Sequence, residues 1–205
     1  MNRVRLGCQT YTWQMSGDKY LNKLSHIIQI ASQAGYAGIE PEVQFLGGLS
    51  DPAKMTEVLQ THSIELAAVC LVEDWTNKEE TEQERANADL LIEFLKHFPD
   101  TLLALCQMPG TNRDNLDERQ RNLLSCVNTL AQHAADEGIK CGYHPNSPQG
   151  SIFRKSTPWG KAVSILWQLH KCCRILVLTV GLSWKMSARR QFPIPTGLHK
   201  VMGYI

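Results

Sequence analysis

A chain of 205 residues with 43% hydrophobic and 20% charged side chains has the size and make-up of one sizeable soluble domain, which excludes a disordered or fibrous protein. Its formal net charge of +1 carries no electrostatic footprint for nucleic acid, and its longest apolar runs, such as residues 175–180, are far too short to span a membrane. Seven cysteines without a Cys-x-x-Cys pair exclude a zinc-finger or disulfide framework, and the first residues lack a signal peptide's apolar run, so a cytoplasmic protein with reduced thiols is expected.

In chain order, residues 4–13 alternate loosely and end in Gln9-Thr10-Tyr11-Thr12-Trp13, which predicts a first strand with a polar, aromatic end. Leu21, Leu24, Ile27, Ile28, Ala31 and Ala34 then recur at helical steps, and Gly35 supplies the stop. Residues 37–40 predict a short second strand, with Glu40 and Glu42 on one side if extended geometry persists through Pro41. Asp51-Pro52 reads as a cap and first-turn proline opening a helix. The nearly continuous apolar run 64–72 predicts a single strand buried on both faces of a parallel sheet, ending in Glu73-Asp74-Trp75.

An acidic segment leads into a helix with Ala88, Leu91, Leu95 and Phe98 inward, broken at Pro99. Residues 102–106 predict the fourth strand, closing on Gln107-Met108-Pro109-Gly110. A long helix carries Leu116, Leu123, Val127, Leu130, Ala131 and Ala134 and ends at Gly138, before a fifth strand at 140–144. Five strand-helix alternations, each strand running toward polar groups, indicate a parallel α/β protein of the (β/α)8 TIM-barrel type. The barrel is expected to be incomplete, because at this spacing the chain has room for barely seven units. A doubly wound sheet is the alternative, but Gly7-Cys8-Gln9-Thr10 has neither Rossmann nor P-loop spacing.

Residues 151–205 contain no Asp or Glu and nine of the 21 Lys and Arg, so the first 150 residues carry 12 − 20 = −8 and the tail +9. A run of 55 residues without an acid has a chance on the order of one in a thousand at ordinary composition. A nucleic-acid tail would be poorer in aromatics than one holding Phe153, Trp159, Trp167, Trp184 and Phe192. Further strand-helix units, with residues 175–180 as a strand, would have helices lacking any acidic face. The expectation is therefore a partial barrel over 1–154 and an aberrant tail over 155–205, translated after a change of coding frame near Lys155.

The stretch Tyr143-His144-Pro145-Asn146 has the form of a strand that stops at a proline and carries polar groups onto a loop, with His144 and Asn146 leaning to one side. A histidine there suits a ligand or acid/base role, or simply a turn. Glu40 is a site carboxylate or a solvated loop one, Asn146 and Gln149 offer hydrogen bonds to a polar ligand or simply make the turn, and Tyr11 and Trp13 suit stacking on a ligand ring or a place in the core or rim. Gln107, Glu73 and Asp74 sit at strand ends by the same logic.

Leu6-Gly7-Cys8-Gln9-Thr10-Tyr11-Thr12-Trp13, Ala34-Gly35-Tyr36-Ala37-Gly38-Ile39-Glu40 and Tyr143-His144-Pro145-Asn146 with Gly150-Ser151 together resemble the xylose-isomerase-like TIM-barrel superfamily, over residues 4–154. The superfamily includes sugar phosphate isomerases and epimerases, hydroxypyruvate isomerases and the endonuclease IV fold, and the His-Pro-Asn turn is most similar to its inosose dehydratase-like branch. The resemblance implies a small sugar or cyclitol substrate, proton abstraction beside a carbonyl, and one divalent metal, often manganese. It assigns Glu40 and His144 to catalysis, with His144 also a metal ligand. Tyr11, Trp13, Gln107, Asn146 and Gln149 fall to substrate binding. The family's later-strand ligands have no counterpart, which implies doubtful metal binding and weak or no activity. The alternative is a non-catalytic barrel binding a sugar or a protein partner.

Overall fold

The computed structural model describes residues 5–107, 114–144 and 175–178. They fall into two compact units, residues 5–67 with 175–178 and residues 68–107 with 114–144. In both, every strand pairing is parallel, with helices between the strands, so the chain is an α/β protein as its alternation predicts. Among the described residues no helix is long and apolar enough to cross a membrane.

In the first unit, β1 (Arg5–Gln9) lies between β2 (Gly38–Glu40) and β7 (Ile175–Leu178), and β3 (Glu65–Leu66) flanks β2. The first strand is shorter than its β-branched and aromatic residues suggest. At Thr10 the backbone N–H donates to the Glu40 carbonyl (3.0 Å), while the Thr10 carbonyl accepts from Trp13 N and Gln14 N (2.9 and 3.2 Å). Tyr11–Gln14 is consequently a one-turn helix, α1, and not the end of a strand.

Helix α2 (Leu24–Gln33) buries Leu24, Ile27, Ile28 and Ala31 at the spacing read from the sequence, whereas Leu21 lies before it and is exposed. Gly35 stops it at φ +89°, where a Cβ would be strained. Helix α3 (Pro52–His62) opens as expected, with Asp51 Oδ1 accepting from Ala53 N (2.9 Å) and Lys54 N (3.4 Å).

In the second unit β5 (Leu102–Gln107) lies between β4 (Ala68–Glu73) and β6 (Cys141–His144), with α4 (Glu82–Leu95) and α5 (Leu116–Asp136) in the connections. The apolar run 64–72 is thus two strands and not one: β3 pairs with β2, β4 pairs with β5, and the chain passes between units after Ala67. Phe98 lies beyond the end of α4, half-buried, with its ring 5.0 Å from that of Phe94. Helix α5 also buries Gln120 and Cys126, which the apolar stripe leaves out.

Strand alternation sorts the residues of each sheet by size. In the first, Cys8, Ile39 and Leu66 share one face and Gly7, Gly38, Gln9 and Glu40 the other. In the second, Val69, Leu71, Leu103 and Leu105 share one face, fully buried, while Ala68, Cys70, Ala104 and Cys106 form a separate buried cluster on the other. In each sheet the small-residue face therefore runs up to one of the two residues expected in catalysis: Glu40 in the first, His144, across from Cys106, in the second.

Candidate functional site

Register builds the first group of polar residues. Gln9 and Glu40 end adjacent strands directly across from one another, and Gln9 Nε2 donates to Glu40 Oε1 at 2.7 Å. Glu40 is only 6% exposed, and burial pushes its carboxyl above the usual carboxylate range, an effect the Gln9 amide partly offsets. Burial of Cys8 on the opposite face of the sheet, with the Glu40 charge, raises its thiol to about 12.

Glu42 continues the extended path beyond Pro41. Its N–H donates to Thr10 Oγ1 (3.3 Å), and its half-buried carboxylate accepts from Gln14 Nε2 and from Gln44 Nε2 (2.8 Å). Burial raises this carboxyl too. Both carboxylates are thus served by neutral amides, a setting that lets a carboxyl hold or release a proton nearer neutrality. Of the two aromatics expected to stack on a sugar, Tyr11 is 49% exposed and free to do so, while Trp13 is 4% exposed and packs into the core. Gln9 was not singled out by its sequence; only the register with Glu40 reveals it.

In the second unit, Glu73 and Gln107 end adjacent strands in register. Gln107 is 4% exposed, and its Nε2 donates to the Asp74 carbonyl at 3.1 Å, so it supports the loop after β4. Glu73 Oε1 accepts from Asn87 Nδ2 of α4 at 2.8 Å, and burial raises its carboxyl. His144 ends β6 as expected, half-buried, and burial lowers its imidazole below the ordinary histidine value, which keeps the ring neutral near pH 7. By alternation Gln107 and His144 occupy opposite faces of this sheet. Asn146 and Gln149 lie outside the described residues, as does the tail except 175–178.

The structure therefore brings Glu40 together with Gln9 in one unit and places His144 in the other. Among the described residues no group of three or more His, Cys, Asp or Glu side chains is arranged to hold a metal ion. The described donor set does not fit the divalent metal that the sequence resemblance implies, and no chemical step below is routed through one.

A model of the xylose isomerase-like TIM barrel matches residues 28–166, which starts later and reaches further than the motifs read in the sequence. Three crystal structures are similar in fold. The IOLI protein, described with a bound zinc atom, has a TM-score of 0.58 at 16% identity, over 80% of this chain and 59% of its own. The probable 3-DHS dehydratase AsbF of Bacillus anthracis, involved in petrobactin synthesis, has 0.54 at 14%, over 85% and 62%. The D-allulose 3-epimerase of Methylomonas sp., in complex with D-allulose, has 0.53 at 18%, over 86% and 62%. This chain thus spans about three fifths of their length. No curated protein matches it.

Proposed function

Because the chain belongs to the xylose isomerase-like TIM-barrel family, we propose that it carries part of a sugar isomerase or epimerase site, cytoplasmic and acting on a small sugar or cyclitol. The observation that carries this reading is the Gln9–Glu40 pair, a buried carboxyl raised by burial and held by an amide at the C-terminal ends of two parallel strands. In TIM-barrel enzymes that end of the strands is where the chemistry takes place.

Glu40, when ionised, takes the proton from a carbon beside a substrate carbonyl, leaving an enediol-type species, and returns it to the same or the neighbouring carbon. Gln9 fixes the orientation of the carboxylate. In the same unit exposed Tyr11 offers a ring face to the sugar, and in the other unit neutral His144 has the hydrogen-bonding groups that suit a hydroxyl ligand. Asn146 and Gln149 add hydrogen bonds to hydroxyls. Because the sequence has no counterpart of the family's later-strand ligands, turnover by this chain alone is slow. The second reading, a barrel that binds a sugar or a partner without converting it, draws support from the engagement of Glu40 by Gln9.

Incubating the purified chain with D-allulose in deuterated water tests both. The expected result is saturable binding with slow incorporation of deuterium at the carbons beside the carbonyl. Incorporation at an ordinary enzyme rate, about 10 s⁻¹, overturns the weak-activity reading. Failure to bind D-allulose or any related ketose or inosose overturns the sugar reading altogether.

The charge break after residue 150 supports a further part of the reading, that residues 155–205 are a distinct segment produced by a shift of coding frame. The nucleotide sequence downstream of codon 155 is expected to show, in another frame, balanced charge and renewed strand-helix periodicity. If neither alternative frame does, the tail is genuine.

A further inference from the structure

We propose that Glu84 and Gln107 are positioning residues that clamp a single peptide unit, Asp74–Trp75, and through it fix the loop leaving the C-terminal end of β4. The carbonyl and N–H of a trans peptide point in opposite directions. Here the carbonyl, of Asp74, accepts from Gln107 Nε2 at 3.1 Å, and the N–H, of Trp75, donates to Glu84 Oε1 at 2.8 Å. A rotation of this peptide plane would break both bonds at once and turn a carbonyl oxygen toward a carboxylate.

The clamped unit leads into a strained residue. Trp75 stands at φ +44°, a region that bulky side chains rarely adopt, and its side chain is wholly buried. Such geometry persists only where the surroundings over-determine it. They do so here. The second oxygen of Glu84 accepts from Thr81 N (2.7 Å) and from Thr81 Oγ1 (3.0 Å), whose hydroxyl in turn accepts from Glu84 N (3.2 Å). Asn122 Nδ2 of α5 donates to the Thr76 carbonyl (2.9 Å), and the Cys126 thiol reaches the Asn77 carbonyl (3.5 Å).

Glu84 is therefore more than the partner in a capping box: it joins the start of α4 to the end of β4. Gln107, at the end of β5, completes the grip from the far side of the peptide. Asp74, itself exposed, is thereby carried on a backbone whose next peptide is held from both sides. The clamp operates whichever reaction the chain supports.

Hydrogen exchange at the Trp75 amide, measured by NMR on the full chain, tests the clamp. Glu84→Ala and Gln107→Ala should each accelerate it by roughly tenfold or more, and the double variant should be little faster than the faster single one. Thr81→Ala removes the cap hydroxyl but neither grip on the peptide, and should leave the rate within about threefold. Unchanged exchange in Gln107→Ala, independent effects in the double variant, or a Thr81→Ala effect as large as that of Glu84→Ala would each overturn the clamp. If Glu84→Ala fails to fold, the comparison of Gln107→Ala with Thr81→Ala decides alone.

Discussion

Glu40→Gln is expected to slow any hydrogen exchange at a sugar carbon by about 10²–10⁴-fold, the usual contribution of a positioned acid/base group, while leaving the fold intact. Glutamine keeps an oxygen facing Gln9 Nε2, so the packing at the ends of β1 and β2 is preserved. The same variant should change how stability depends on pH. Burial raises the Glu40 carboxyl above its ordinary 4.5, so the folded chain binds this proton more tightly than the unfolded one. The stability it contributes is complete below 4.5 and is lost as pH rises through the folded value.

Glu40→Gln removes that loss and is at least as stable as wild type at neutral pH. Glu42 and Glu73 are also raised by burial, so the fall is reduced by one proton and not abolished. His144 acts in the opposite sense: its contribution is complete above 6.5 and lost as pH falls through its lowered folded value. Urea midpoints measured across pH 4–8 give the comparison; parallel curves for the two proteins would show that Glu40 is not the buried titrating group described above.

Ending the chain after Arg154 is expected to reduce its solubility sharply. The cut removes β7, which pairs with Arg5, Leu6, Gly7 and Cys8 and leaves β1 with a neighbour on one side only. An unpaired parallel strand presents a row of backbone donors and acceptors to other chains. Pairing of this kind uses the backbone, and an Ile-Leu-Val-Leu segment suits a strand whatever its coding origin. A shifted reading frame and a paired β7 are therefore compatible. Size-exclusion chromatography at matched concentration provides the measurement, and a truncated chain that stays monomeric with an unchanged urea midpoint would show that β7 contributes nothing.

What was legible in the sequence follows from the range of the interactions involved. The stops at Gly35 and Gly138 and the Asp51 cap are set by neighbours in the chain, and all three stand where the sequence places them. The proline after His144 likewise marks the end of β6. Tyr11–Gln14 misleads because its side chains favour a strand, while the turn is begun by Thr10, whose N–H is taken by a carbonyl thirty residues later in the chain. The division at Ala67 is invisible in a uniform apolar run, since it depends on which strand each half pairs with. Thr81 and Glu84 spell a capping box that the sequence does contain, but the third bond of Glu84, to Trp75, is a matter of loop shape. In the candidate site Glu40 was accessible to motif reading, whereas Gln9 became visible only through register.

The shielded thiols bear on the chain's relation to oxidants. Cys8 and Cys141, one in each unit, have thiols raised to about 12, and Cys70 and Cys106 line a closed apolar cluster. At pH 7 such a thiol is almost wholly protonated, and the thiolate is the form that attacks peroxides and disulfides. Folding thus makes the thiols of Cys8 and Cys141 poor nucleophiles at neutral pH, and local opening of either unit is expected to raise their reactivity.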